Sequence, residues 1–416
     1  MTLRLGLLRL VRSLSCDRSE RRRLGAAVVR LQRQRRFSLS LFGPLLRFVP
    51  TAGKRKLQLW QVLARSIAVE RFLLPSAENS SILAESIRST QAYSDAAVAL
   101  SRNRNGFLQR GPDYSHLRQL WCEHPPQRLL IFHHYDRRGL LPNSWLDALV
   151  ELQMAGWQVV FSTPKVDSDL SSSLDSFGVQ IVRRLNIGRC LGAYRDLALL
   201  LHFTPLAHKN LKALVFCNDS NLLVQPPEVL LSQLEQWTNH EATCRPVLAG
   251  LTDSVERHRY HLQSFLLYAN CALLNHPTWL QFWLYFAIDG SKDDLIDQGE
   301  IGLSQALLDV GVELKPAYSL VQSLLTDPSM AAELQCCDRL QIEDVNQSLF
   351  GWRSLLARGY PFIKKHVLFQ LALQKYDRIS IAELAPLIPP DRFDLLARDI
   401  ELLLSSRFSG DLQGMR

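Results

Sequence analysis

The sequence predicts an α/β fold, a mostly parallel sheet with flanking helices, set between helical N- and C-terminal regions. Two observations lead to this prediction. From residue 128 onward, short apolar runs alternate with amphipathic segments of helical length. The apolar runs are continuous, which is typical of parallel strands covered by helices on both faces. Ligands of such sheets bind beyond the carboxyl ends of the strands, so the residues that follow each strand are the candidates for function.

Seven strands are predicted, each from an apolar run of strand length: 129–133, 157–162, 178–182, 212–217, 247–251, 263–269 and 312–318. Between them, the periodicity predicts helices at 143–155, 192–202, 227–237, 277–286 and 299–309. Asn143 is a suitable N-cap. Pro227 suits the first helical turn, where a missing N–H costs nothing.

Three regions follow from these patterns. Residues 1–127 form a basic, mainly helical N-terminal region that ends near Pro125 and Pro126. Residues 128–335 contain the predicted sheet. Residues 336–416 form a helical C-terminal region.

The positive charge of the chain is concentrated at its start. Residues 1–60 carry 15 Lys and Arg but only Asp17 and Glu20, whereas the rest of the chain is slightly acidic. Because arginines alternate with leucines here, an anionic membrane surface is one predicted partner. A surface helix that folds back on the acidic body is an equal alternative. Nucleic acid is not a predicted partner, since the segment lacks interleaved aromatic residues for base stacking.

The predicted location is the cytoplasm. If residues 1–60 bind an anionic membrane surface, the protein would be attached peripherally at the inner membrane face. No uninterrupted apolar run approaches the roughly 20 residues that span a bilayer. Arg4 and Arg9 interrupt the place of a secretory signal. The eight cysteines form no CxxC pair, so we expect reduced thiols.

Polar clusters follow four of the predicted strands. No Walker A, GxGxxG or HExxH motif is present. A diphosphate-sugar needs positive charge or a divalent cation on its phosphates, a carboxylate, and a base for the acceptor. Asp219, beside Asn218 and Ser220, supplies hard oxygen ligands for Mg²⁺ or Mn²⁺. The clusters are residues 134–139, 183–196, 217–220 and 252–254, the last followed by 261–264.

Other residues in and near these clusters have less specific predictions. Arg183 and Arg184 are candidates for neutralising phosphate, and Gly188 permits close backbone approach. His133 and His134 are adjacent in a strand and point to opposite faces, which argues against a two-histidine metal site, so a structural or hydrogen-bonding role is predicted for both.

Seven segments resemble one family: HHYD (133–136), RRLNIGRCLGAYRD (183–196), FCNDS (216–220), GLTDS (250–254), HLQSF (261–265), GEIGLSQ (299–305) and GYPFIKK (359–365). Together they resemble the rhamnan synthesis F family, bacterial proteins that assemble rhamnose-containing surface polysaccharides. The resemblance covers about residues 128–370 and keeps the segments in order. That family is similar to GT-A-type glycosyltransferases, which have a Rossmann-like fold.

The resemblance implies a glycosyltransferase that uses a nucleotide-sugar such as dTDP-rhamnose and a saccharide or lipid-linked saccharide acceptor. Asp219 takes the place of the metal site. Glu300 and Asp253 are the candidate acceptor bases. The implied donor-binding residues are Asp136, Arg183, Asn186, Gly188, Tyr194, Asn218, Asp219, Ser220, His261 and Gln263.

One position departs from the family pattern. The family loop usually reads N-x-G-x-D, and this chain has Cys190 at the acidic position. A thiol neither binds Mg²⁺ as a carboxylate does nor accepts strong hydrogen bonds from sugar hydroxyls. The alternative function is therefore a noncatalytic, glycosyltransferase-like scaffold that binds saccharide or partner transferases.

The segment GYPFIKK is predicted to be structural. Pro361 ends a helix, and Phe362 and Ile363 pack into the core. Lys364 or Lys365 approaching a phosphate or an anionic surface is the second interpretation.

Overall fold

The structure is a computed structural model that describes residues 114–240, 245–286, 288, 291–330, 346–372 and 381–408. Most of them belong to one compact unit, Pro112–Phe282 with Lys292–Arg416; the other unit consists of Met1–Gly111 and Trp283–Ser291. The basic segment 1–60 lies outside the described residues, so its membrane attachment stays a prediction. Within the described ranges, no helix has the length and apolar character needed to cross a bilayer.

The predicted α/β fold with a mostly parallel sheet is confirmed. The described strands are β1 (Arg128–His133), β2 (Gln158–Thr163), β3 (Gln180–Arg183), β4 (Ala213–Asn218), β5 (Asn221–Leu223), β6 (Val247–Ser254), β7 (His261–Leu262), β8 (Leu266–Asn270), β9 (Glu313–Tyr318) and β10 (Phe362–Lys364). The main sheet has the order β3-β2-β1-β4-β8-β6. β9 pairs with β6, and β7 pairs with the end of β6. β5 and β10 form a separate antiparallel ribbon.

Two strands of the main sheet run against a neighbour: β8, and the short β7 at the end of β6. β1 pairs in parallel with β2 and β4, and β6 pairs in parallel with β9, but β8 is antiparallel to both β4 and β6. The strand predicted at 263–269 therefore begins later and has the opposite direction. As a result, the carboxyl ends of β1, β4 and β6 share one edge of the sheet, and the chain enters β8 from that same edge.

Helices cover the sheet on the predicted pattern. The helix predicted from Gly192 begins earlier, at Arg189, because Gly188 adopts a left-handed conformation with φ 71° and starts it. The bounds of the described α-helices are Ser115–Glu123, Asn143–Met154, Ser168–Ser176, Arg189–His202, Pro205–Asn210, Pro227–His240, Cys271–Leu274, Pro277–Tyr285, Lys292–Leu295, Gly302–Leu308, Leu320–Thr326, Gln347–Phe350, Trp352–Ala357, Lys365–Ala372 and Pro390–Phe408. A π-helical turn, Ile296–Ile301, precedes Gly302–Leu308.

The start of the helix Asn143–Met154 differs from the prediction. Asn143 is not its cap; the N-cap position is Pro142, which offers no side-chain acceptor. Instead the fully buried carboxylate of Asp399 accepts from the backbone N–H of Asn143 (2.7 Å) and of Ser144 (3.0 Å). A carboxylate suits this position because the first turn of a helix has free N–H groups and a partial positive charge.

The hydrophobic core also joins the C-terminal region to the sheet. Buried residues of β1 and β2 belong to the same cluster as Trp352, Phe362 and Ile400. Phe362 stacks on Trp145, with ring centroids 5.3 Å apart. The packing predicted for Phe362 and Ile363 is confirmed, since both are almost fully buried. Pro361 does not end a helix; the preceding helix stops at Ala357, and Gly359 turns the chain with φ 83°.

Candidate functional site

The site is built around Asp219, which follows the buried strand β4. The Asn218 side chain closes the turn, because its Oδ1 accepts from Ser220 N at 2.9 Å. This turn projects Asp219 toward the end of β1, where its Oδ2 lies 2.8 Å from Nδ1 of His134 and 3.4 Å from Tyr135 N. The segments that follow β1 and β4 therefore meet at Asp219.

A third contact to Asp219 comes from the far end of the chain. Nζ of Lys365 donates to Oδ2 at 2.9 Å. The ribbon of β5 and β10 places this lysine, since Lys364 is paired with Asn221 and Lys365 N donates to Ser220 O at 3.0 Å. Burial alone would raise the pKa of Asp219, but Lys365 and His134 bring it well below its ordinary value. The carboxylate is therefore ionised at neutral pH.

The loop between β3 and the next helix reaches the same edge. Oδ1 of Asn186 lies 3.3 Å from Nε2 of His133, the last residue of β1. Arg184 is buried and holds the loop together by donating to Ile187 O (2.9 Å) and to Asp196 (3.0 Å). Arg184 is therefore not available to a phosphate, which corrects that prediction. Arg183 is exposed on the strand end.

Tyr194 connects this helix to two strand ends. Its hydroxyl accepts from Asn218 Nδ2 at 3.1 Å and donates to Ser264 O at 3.3 Å. The ring stacks on Phe216, with centroids 4.5 Å apart. Tyr194 is fully buried, so it positions the turn after β4 rather than contacting a ligand through an open face.

Glu300 forms the other acidic end of the site. It lies in the π-helical turn, a widened form of helix that is frequent at functional sites. Its Oε2 accepts from Ser264 N at 2.7 Å and from Ser264 Oγ. Its Oε1 faces Nε2 of His261 at 3.7 Å, while Nδ1 of His261 donates to Arg259 O at 2.8 Å. The Glu300 side chain retains 17 % exposure, so solvent reaches it.

The charges of both carboxylates act on Cys190, which lies in the first turn of the helix Arg189–His202. Burial raises the pKa of its thiol to about 12, and the charges of Glu300 and Asp219 contribute to the rise. The thiol is therefore neutral at physiological pH. Hydrogen bonds link the same region, because Tyr194, one helical turn after Cys190, contacts Asn218 beside Asp219 and also Ser264, which donates to Glu300.

Three residues that were predicted to act on substrates make structural contacts instead. Asp253 is 2 % exposed, and its oxygens accept from Leu320 N (2.6 Å), Gln347 Nε2 (3.1 Å) and the hydroxyls of Ser319 and Tyr260 (both 3.2 Å). Such an enclosed carboxylate anchors the helix Leu320–Thr326, so the geometry does not support it as an acceptor base.

Gln263 and Asp136 are likewise engaged by the protein. Gln263 is 2 % exposed and accepts from Thr252 Oγ1 at 2.6 Å and Ser348 Oγ at 3.1 Å. Oδ1 of Asp136 accepts from the backbone N–H of three successive residues, 138–140, at 2.8–3.2 Å. It closes the turn after β1, which is the common role of an aspartate in such a position. Neither contact pattern supports the predicted donor binding.

The residues around Asp219 fit a divalent cation poorly. Oδ2 already accepts from the Lys365 ammonium, and no group of three His, Cys, Asp or Glu side chains able to hold a metal ion occurs in the part of the chain that the structure describes. A dication about 4 Å from this ammonium would be repelled by ~8 kcal/mol at an effective dielectric constant of about 20. The counter-charge of Asp219 is thus an ammonium, and these contacts do not favour the predicted Mg²⁺ or Mn²⁺.

For Lys364 and Lys365, contact with a phosphate or an anionic surface was only the second interpretation of the sequence. Lys365 contacts Asp219, and Lys364 donates to Asn346 Oδ1 at 3.3 Å. Burial lowers the pKa of Lys364, against the opposing charges of Glu300 and Glu256. Their signal in the sequence was the segment GYPFIKK. His134, for which a structural or hydrogen-bonding role was predicted, forms a hydrogen bond with Asp219.

Neither a family model nor a curated protein matches the chain. The resemblance to the rhamnan synthesis F family therefore stays a prediction.

Proposed function

We propose that the chain is a GT-A-like glycosyltransferase. It would transfer a sugar, rhamnose or a related deoxyhexose, from a nucleotide-sugar to a saccharide or lipid-linked saccharide. The observation that carries this proposal is the gathering of Asp219, Lys365, Cys190 and Glu300 at the carboxyl edge of a mostly parallel sheet. Open α/β sheets bind their ligands at that edge.

The two ends of the site suit the two substrates of such a reaction. Cationic Lys365 beside Asp219 suits the diphosphate of a donor, and the N-terminus of the helix Arg189–His202, which has no side-chain cap, opens at the same edge. Glu300 suits an acceptor base. Its Oε2 is held by Ser264, and Oε1 is left to take a proton from an acceptor hydroxyl.

Asp219→Asn tests the proposal directly. We expect transfer, or hydrolysis of the nucleotide-sugar, to fall by about 100-fold or more because the ionised partner of Lys365 is lost. The matched control is Asp309→Asn, the same change at an exposed helix end. Urea denaturation of both variants checks that they are folded. Full activity of Asp219→Asn would remove Asp219 from the site.

A noncatalytic scaffold is the second candidate, and Cys190 is the observation that favours it. A neutral thiol stands at the position where the family that the chain resembles has an acid. Calorimetry with a panel of nucleotide-sugars, dTDP-rhamnose among them, separates the two functions. Heat from one donor supports the transferase. No heat from any donor, with saccharide still bound, supports the scaffold.

A further inference from the structure

We propose that Lys365 and Lys364 bind the diphosphate of the ligand directly, without a divalent cation. This inference rests on the proposed function, because it assigns the phosphate-binding groups of the same site. It follows from the contacts of two consecutive lysines, which reach the sheet edge from the ribbon of β5 and β10.

The first step is the number of free donors. An ammonium carries three N–H groups. Lys365 uses one on Asp219, and Lys364 uses one on the neutral amide of Asn346. Neither ammonium group has another hydrogen-bond partner among the residues described. Donors therefore remain on both side chains for phosphate oxygens.

The second step is access. The Lys365 and Asp219 side chains retain 15 % and 12 % exposure, so the pair is largely withdrawn from water but still reached by solvent. Charge-assisted hydrogen bonds are strong in such surroundings, because water competes less for the donors. A diphosphate that approaches from solvent accepts from Lys365 while Asp219 keeps the ammonium in place.

The third step is the electrostatic state of Lys364. Burial disfavours its charged form, and Asn346 supplies no negative charge to compensate. Glu300 and Glu256 compensate it only in part. An arriving anion would restore the balance, since an opposite charge nearby favours the protonated ammonium.

The fourth step is the role of Asp219. In a metal-dependent site this carboxylate would hold the cation, but its Oδ2 accepts from Lys365, His134 and Tyr135 N. Asp219 is instead a positioning residue for the Lys365 ammonium. The positive charge for the phosphates comes from the protein.

The experiment is isothermal titration calorimetry of the full chain with UDP and dTDP, in excess EDTA and in Mn²⁺. Inorganic pyrophosphate is titrated in EDTA. We expect nucleotide affinities in the two buffers to agree within about threefold, because no cation is needed. Lys365→Met should weaken both probes by about 10- to 100-fold in EDTA, as expected for a lost hydrogen bond to a charged group.

Three further variants guard the interpretation. Lys365→Arg keeps the charge and should bind within about tenfold of the original chain. The double variant Asp219→Asn with Lys365→Met leaves neither charge without its partner. It should therefore fold but still fail to bind pyrophosphate. Lys209→Met is the matched control. Lys209 is exposed in the helix Pro205–Asn210, at the start of β4 and so away from Asp219, and this variant should bind both probes normally.

The outcomes separate this inference from the proposed function. Nucleotide binding in Mn²⁺ but not in EDTA would overturn the inference and leave the transferase proposal standing. Pyrophosphate binding that depends on Lys365, without nucleotide binding in either buffer, would support the anion site and count against the transferase. Absence of binding by all probes would overturn both.

Discussion

The contact between Lys365 and Asp219 makes a prediction about stability that needs no substrate. Its atoms are 2.9 Å apart, and both side chains are mostly buried. At an effective dielectric constant of about 20, the gross attraction at this distance is ~6 kcal/mol. Desolvation offsets part of it, and removing one partner of a buried pair costs about 3–5 kcal/mol. We expect Lys365→Met to lower the free energy of unfolding by about 3 kcal/mol. This is the lower end of that range, because Asp219 retains its hydrogen bonds with His134 and Tyr135 N.

A double-mutant cycle isolates the pair. Asp219→Asn should cost about 2 kcal/mol, since the amide can still accept from its other neighbours. The double variant should cost about 3 kcal/mol rather than the sum of about 5, giving a coupling energy of about 2 kcal/mol. The assay is urea denaturation followed by tryptophan fluorescence, in which 3 kcal/mol moves the midpoint by about 1 M.

Additivity would refute the reasoning. If the double variant loses the sum of the two single losses within about 0.5 kcal/mol, the two groups do not interact. The lysine would then lie in solvent, and both the site geometry and the phosphate inference would lose their basis. A Lys365→Met protein as stable as the original would have the same consequence.

Three further predictions concern other residues of the site. Glu300→Gln should slow transfer by about 100-fold or more with donor affinity retained, measured by single-turnover assays, whereas Glu313→Gln at an exposed position should leave the rate unchanged. Asp253→Ala should lower the free energy of unfolding by about 3–5 kcal/mol, because several donors lose their acceptor; folded molecules of this variant should still bind donor, and loss of binding by them would return Asp253 to the site. Burial, assisted by the charge of Arg184, lowers the pKa of His133 from 6.5 to about 3, so below pH 6.5 the unfolded chain binds a proton that the folded protein does not. As the pH is lowered from about 6 to 4, His133 should therefore decrease the free energy of unfolding by about 1.4 kcal/mol per pH unit. His133→Asn should remove this pH dependence in urea titrations.

The candidate site was predicted in part because strand ends are visible in the sequence. The run 212–217 followed by Asn218 and Asp219 located the acidic turn after β4, and the segment with Asn186 and Tyr194 located the loop that meets it. Parallel strands bring such turns to one edge, so their meeting followed from the fold class. Asp253 and Gln263 follow from the same rule, but they were assigned wrongly to an open cleft. A strand end reveals the edge on which a side chain lies, not whether another segment covers it.

What the sequence determined by itself was the α/β class, five of the seven predicted strands to within two residues at each end, and the edge that carries the polar side chains; the short strands β5, β7 and β10 were not predicted. These follow from the order and spacing of apolar residues, which act locally. The direction of β8, the capping of the helix at Asn143 by Asp399, and the pairing of Asp219 with Lys365 were decided only by the tertiary structure. The two members of that ion pair are 146 residues apart, and no local pattern records which distant cation will neutralise a buried carboxylate. The chain meets that need when it folds, since a buried charge without a partner is too costly to keep.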